Sequence, residues 1–329
     1  MRHCSLLALL PAALLPMNAL AQAPAESLGR PATLLVQPEW PHKPDRASWG
    51  AVTGITVDAK DQIYLYNRSQ PAVQIYRPDG SLVRAWPVEN AKGAHHVKVD
   101  REGNLWLADY LRHVVRKCSP EGKVLLSLGE PGKAGSDERH FNGPTDTAVL
   151  PNGDVFVSDG YGNRRVVQFD KQGRYVKQWG QAGNGPGQFA LPHAIVADSR
   201  ERLYVADRNN ARIQVFDAAG RLLAVWEKLI TPWGLHVTKD DEIWVCGSSP
   251  AKKAEADGFQ IAPPADQLVM KLSRDGKVLL RAPLPSIKTP PGKPGEVDWV
   301  HAIAVDSRGD VYLGDVQGKR AQKFRVQVR

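Results

Sequence analysis

One ten-residue phrase recurs six times along this chain, and it restricts the fold more than any other feature. It reads DAKDQIYLYN ending at Asn67, DREGNLWLAD ending at Asp109 and LPNGDVFVSD ending at Asp159. It returns as DSRERLYVAD ending at Asp207, TKDDEIWVCG ending at Gly247 and DSRGDVYLGD ending at Asp315. The intervals are 42, 50, 48, 40 and 68 residues. A period in the forties is that of a propeller, whereas a β-solenoid repeats at shorter spacing. Each unit has a short apolar strand, a polar turn and an alternating strand such as 203–207. A third strand (211–217) and a closing strand (221–226) follow. No long helical period competes with this alternation. Four short strands repeated six times predict an all-β, six-bladed β-propeller over 33–329.

The 68-residue interval carries two extra segments, Pro250 to Pro264 and Pro283 to Pro294, rich in Pro, Ala, Lys and Gly. They are expected as surface loops. The last unit shows only three strands, so Thr33 to Val36 is expected to supply its outer strand and latch the ring. Such closure removes the unpaired edge that a linear array would leave.

The first residues lie outside the repeats. Arg2 and His3 precede a leucine-rich stretch from Leu6 to Leu15, then Ala19-Leu20-Ala21. This order of basic, apolar and small residues predicts a secretory leader over 1–21, cleaved after Ala21, and a Pro/Ala-rich linker over 22–32. Pro11 and Pro16 break the apolar run, which is too short for a membrane span. The mature chain is therefore expected outside the cytoplasm, periplasmic or secreted, with no stable membrane insertion. Export would permit a disulfide between Cys118 and Cys246. Their units lie three apart, on opposite sides of a six-fold ring, and both are expected as small buried residues. Net charge is +8 but the basic residues are dispersed. No basic stripe interleaved with aromatics marks a nucleic-acid partner.

A histidine recurs five residues before the closing Asp in alternate units: His95 in HHVKVD, His193 in HAIVAD and His301 in HAIAVD. The same slot holds Thr53, Thr145 and Trp233 in the other three. Around a propeller axis the three imidazoles would stand roughly 120° apart and converge. Three nitrogen ligands with an open position suit Zn²⁺, and ligand type alone also admits copper or iron. The residue just past the second strand shares that face: Arg68, Tyr110, Gly160, Arg208, Ser248 and Val316, with Tyr161 next in the third unit. Asp109, Asp207 and Asp315 are read as turn-capping residues. The chain has no CxxC, HExxH, GxSxG or phosphate-cradling glycine loop.

The phrases DGYGNRRVVQF, DRNNARIQVF and NRSQPAVQIY resemble NHL repeats. The longer stretch from GPTDTAVLPNGDVFVSDGYGNRRVVQF to PGQFALPHAIVADSRERLYVADRNNARIQVF resembles the peptidyl-α-hydroxyglycine α-amidating lyase family. The likeness is dense from Phe141 to Phe216 and in register from about Val52 to Phe324. It implies a propeller holding catalytic zinc through His95, His193 and His301. It further implies Tyr161 as the base, with Arg68 and Arg208 at the active site. Three departures from the family stand out. Ala302 stands where an acid helps bind structural calcium, so that site is either missing or built from backbone oxygens near Val97 and another acid. Trp299 replaces a methionine, and Gly162 and Tyr204 occupy places of disulfide cysteines.

The implied reaction splits a carbinolamide, N–CH(OH)–COO⁻, into a primary amide and glyoxylate. Its partner would be a small molecule or peptide with a carboxylate end, acted on by a monomer. No hydroxylating domain stands beside the repeats, so either a separate enzyme supplies the hydroxylated substrate or the substrate is a different small carbinolamide. The rival is a non-catalytic exported NHL propeller serving as a binding scaffold. A lactonase-type propeller fits less well, because the recurring axial slot carries imidazole rather than carboxylate.

Overall fold

The computed structural model describes residues 21–22, 29–42, 49–250 and 266–329. The expected leader lies outside them except for Ala21, as does nearly all of the Pro250–Pro264 loop and most of the expected linker. Ala21–Gln22 run parallel to Ala224–Val225.

Six blades of antiparallel strands form a six-bladed β-propeller, as the repeats predict. The innermost strands are Val52–Val57, Ala94–Val99, Pro144–Val149, Pro192–Ala197, Thr231–Val237 and Val300–Val305. Each packs against the innermost strand of the next blade, and Val300–Val305 returns to Val52–Val57, so the ring closes. The repeated phrase forms the second strand of every blade, for example Leu203–Asp207.

The last blade obtains its outer strand from the start of the chain. Arg30–Val36 runs antiparallel to Arg320–Val328, with Ala32 opposite Val328 and Val36 opposite Phe324. This strand begins three residues before Thr33 and reaches further than expected. Arg30 and Pro31 also pair in parallel with Leu280 and Arg281 of blade five. The latch therefore ties two blades together. The Pro283–Pro294 segment lies largely in the turn-rich connection after Val278–Leu284, although Pro283 and Leu284 still belong to that strand.

The core is divided among wedges between blades. One packs Trp106, Ala108 and Val115 of blade two against Phe141, Val155 and Val167 of blade three. Cys118 and Cys246 are free and buried, each in a different wedge, as the register predicts.

Carboxylates brace the blades. Tyr64, Trp106, Tyr204 and Tyr312 donate from the second strands to Asp58, Asp100, Asp198 and Asp306. In blade three both partners change together, to Leu150 and Phe156. On the opposite side, Asp207 accepts the amides of Ala190 and Leu191 and pairs with the Arg212 guanidinium at 2.9 Å. Asp159 and Arg165 repeat this pair one blade earlier. Asp315 likewise accepts the amides of Asp298 and Trp299. These acids fasten the connections that rim one mouth of the channel.

Candidate metal centre and active site

The histidine slot is a bulge. In blades one, three, four, five and six the ladder skips Thr53, Thr145, His193, Trp233 and His301. Blade two skips His95 together with His96. An unpaired bulge residue is re-aimed out of the strand's regular alternation. All six slots therefore turn toward the axis, where the strands crowd at one mouth.

His95, His193 and His301 meet there, with ring centroids 4.7–4.8 Å apart. One nitrogen from each ring lies within 4.8 Å of the others. The Nδ1 of His95 is 2.6 Å from the Thr145 carbonyl, that of His193 is 2.6 Å from the Trp233 carbonyl, and that of His301 is 2.7 Å from the Thr53 carbonyl. A carbonyl oxygen only accepts, so each Nδ1 carries the proton and each Nε2 keeps its lone pair. The slots thus alternate around the ring, imidazole and then the carbonyl that orients it. Outer hydrogen bonds of this kind fix tautomer and ring angle in metal-ligating histidines.

All three rings are buried. Burial, followed by the charge of neighbouring histidines or arginines, holds His95 and His193 well below the usual imidazole range. Burial and Arg68 bring His301 down to about 3. Neutral rings with directed lone pairs are what a cation requires.

Tyr161 covers the triad. Its phenol oxygen is 3.0 Å from Nε2 of His95 and 3.4 Å from Nε2 of His193. The preceding residue is glycine for a steric reason: a Cβ at Gly160 would stand 2.0 Å from the Pro192 carbonyl oxygen. Close passage of blade four thus forces the DGY order that swings Tyr161 over the axis. Arg208 hydrogen-bonds to Tyr161 and is buried, its guanidinium 4.4 Å from the Trp233 ring centroid. Among the described residues no carboxylate pairs with Arg208. Arg68 completes the group, donating from Nε to the Ala94 carbonyl at 3.1 Å and lying 5.1 Å from the Tyr110 ring centroid. Tyr110 packs 4.9 Å from the Tyr161 ring.

The structure therefore brings all six sequence-predicted residues to one mouth: His95, His193, His301, Tyr161, Arg68 and Arg208. It adds others that the repeat register left aside. His96 is buried 4.8–5.6 Å from all three rings, and its Nε2 has no partner. Only its adjacency to a slot histidine marks it in sequence. Trp299 packs edge-on to Trp233 at 4.8 Å, and both indole nitrogens lack acceptors. At Gly162 a Cβ would strike the Asn142 side chain at 2.1 Å, and Tyr204 is committed to Asp198. A cleft of about 890 Å³ opens elsewhere, lined by residues including Asp58, His236, Lys271 and Lys323. Two of its lysines are paired, Lys271 with Glu242 and Lys323 with Asp310, and it contains none of the six residues.

The donor set fits a metal such as zinc: three neutral imidazoles, each oriented from behind. The calcium implied by the resemblance fits poorly. Ala302 offers no ligand oxygen from its side chain, and the one acid at the equivalent position of any blade, Asp146, is occupied by an ammonium.

A family described as a 6-bladed beta-propeller matches residues 145–228. Peptidylglycine alpha-amidating monooxygenase of Rattus norvegicus is 34% identical over 243 residues, covering 70% of this chain. This chain spans only 23% of that protein's length. Peptidyl-alpha-hydroxyglycine alpha-amidating lyase 1 of Drosophila melanogaster is 31% identical over 343 residues, covering 89% of this chain and 60% of its own length. NHL repeat-containing protein 3 of Homo sapiens is 27% identical over 303 residues, covering 87% of this chain and 82% of its own length. A solved structure described as a streptogramin B lyase matches with a TM-score of 0.58 at 14% identity, over 86% of this chain and 95% of that one, a likeness of fold alone. Repeats, blades and relatives agree that the chain is a six-bladed β-propeller related to the peptidyl-α-hydroxyglycine α-amidating lyases.

Proposed function

We propose that the chain is a zinc-dependent lyase that cleaves the C–N bond of an α-hydroxyglycine group, R–CO–NH–CH(OH)–COO⁻, to a primary amide and glyoxylate. The observation that carries this reading is the phenol of Tyr161 resting on two Nε2 atoms beside a buried guanidinium with no carboxylate partner among the described residues. Bound zinc would act as a Lewis acid on a substrate oxygen and favour loss of the hydroxyl proton. Tyr161 is placed to accept that proton, with the buried Arg208 guanidinium hydrogen-bonded beside it. As the C–O bond becomes a carbonyl, the electron pair of the C–N bond leaves with nitrogen. The proton held by Tyr161 then passes to that nitrogen, so no water, oxidant or reductant is consumed. Arg208 and Arg68 bracket the mouth and can grip the substrate carboxylate through charge-assisted hydrogen bonds.

The non-catalytic scaffold remains the second reading, favoured by the human relative that is named for its repeats alone. A scaffold has no use for three converged imidazoles, each with an oriented lone pair. Metal analysis of the purified chain, with glyoxylate release measured on an N-acyl-α-hydroxyglycine, separates the two. One zinc per chain with glyoxylate formation supports the lyase. A folded protein that binds no metal, or is zinc-loaded and releases no glyoxylate, supports the scaffold. An extracytoplasmic location belongs to the same proposal and rests on the leader-like order of the first residues. Amino-terminal sequencing of exported protein tests it.

A further inference from the structure

We propose that the ammonium of Lys98 is the resident cation of the inner channel, in place of a structural calcium ion, and that folding of this propeller is calcium-independent. The residues following the six slots are Gly54, His96, Asp146, Ala194, Gly234 and Ala302. Asp146 is the one acid among them, and Ala302 lies three blades away from it. A divalent cation held there through a side-chain carboxylate would need Asp146.

Asp146 is already saturated. It is 1% exposed, and its Oδ1 accepts the Thr147 amide at 2.8 Å. Its Oδ2 accepts the Ile195 amide of blade four at 3.1 Å and lies 3.0 Å from the Lys98 ammonium. Lys98 comes from blade two and also donates to the Leu235 carbonyl of blade five at 3.5 Å. One side chain thus links three blades across the axis, as an ion bound to a carboxylate and backbone carbonyls would. A calcium ion bonds oxygen at about 2.3–2.6 Å, which would crowd a second positive centre against the ammonium. The remaining neighbours offer no replacement side-chain oxygen: Gly54, Ala194, Gly234 and Ala302 have none, and His96 brings nitrogen. Like charges at this range in a buried site repel strongly.

The proposal stands apart from the lyase reading, because its test reads folding rather than turnover. The zinc-loaded chain is melted with and without millimolar CaCl₂, and calcium binding is followed by titration calorimetry. The expected shift in melting temperature is under about 1 °C, with no heat of binding, since a ligand that does not bind the native state does not stabilise it. A calcium-dependent rise of several degrees, or saturable binding of one ion per chain, would overturn the proposal. Lys98→Met removes the ammonium and leaves a buried, uncompensated carboxylate. It is expected to melt about 5 °C lower and to recover part of that loss in calcium. A folded Lys98→Met that melts like the parent and ignores calcium counts against it. If Lys98→Met does not accumulate, the double variant Lys98→Met/Asp146→Asn removes both charges. Recovery of folded protein supports the pairing, and no recovery counts against it.

Discussion

The phenol oxygen of Tyr161 stands 3.0 Å from Nε2 of His95, on the side of the ring that carries the lone pair. The group proposed to move the proton thus lies against the proposed metal position. Tyr161→Phe keeps the ring packed against Tyr110 and removes only the hydroxyl. General acid–base groups contribute about 10²–10⁴-fold, so kcat should fall by that factor while zinc content stays at the parent value. Full turnover in this variant would remove Tyr161 from the mechanism.

His193 tests the centre itself. His193→Ala removes one ligand and leaves the Trp233 carbonyl without its donor. Loss of an outer-shell partner alone costs about 10–100-fold in metal affinity, and loss of a ligand should cost more. Equilibrium dialysis against zinc should show that drop, and glyoxylate release should fall in parallel. Retained affinity with lost activity would mean that the three rings do not share an ion.

Arg208 separates binding from chemistry. It lies over Trp233 and hydrogen-bonds to Tyr161, so the guanidinium can hold a carboxylate beside the phenol. Arg208→Met fills similar space without charge. A hydrogen bond to a charged group contributes about 1.5–3 kcal/mol, so KM for the carboxylate substrate should rise about 10–100-fold. A neutral ester analogue should lose that discrimination and respond less to the substitution. Equal losses on acid and ester would place Arg208 outside carboxylate recognition.

Much of this site was legible in sequence because side-chain identity carries it. The slot histidines and the arginines at Arg68 and Arg208 recur in register, with Tyr161 one residue past it, and register in a propeller is position around an axis. What stayed hidden is carried by backbone. Any residue can offer a carbonyl, so nothing in Thr53, Thr145 or Trp233 announces that their oxygens orient the imidazoles. The bulges are equally silent, since a skipped pairing leaves no residue signature in HAIVAD. Lys98 and Asp146 sit in adjacent blades at different offsets, so no repeat comparison aligns them. The latch strand was seen from Thr33 but not from Arg30, because its first pairs reach blade five rather than blade six.

The buried imidazoles also set how the metal-free chain should respond to acid. His95, His96 and His193 are held well below their ordinary range, chiefly by burial, and His301 reaches about 3. Unfolded histidine titrates near 6.5. Between these values the unfolded chain binds protons that the folded chain refuses, so stability is full above about pH 6.5 and falls as pH drops toward 3. Each histidine contributes up to about 1.4 kcal/mol per pH unit, and four together about 5. Asp146 works in the opposite sense. Burial raises it to about 6, so the folded state takes up its proton first as pH falls and gains stability from about 6 toward 3.8. Burial also raises Asp109, Asp159, Asp207 and Asp298, which work in the same sense as Asp146, while His236, brought down to about 3, adds a fifth imidazole to the loss. Denaturant titrations of chelator-treated protein at pH 7.5, 6.5 and 5.5 should therefore show a steep decline across the series. Zinc binds only the deprotonated rings and should move that decline to lower pH. A metal-free chain equally stable at pH 7.5 and 5.5 would mean that its histidines are not held neutral by the fold.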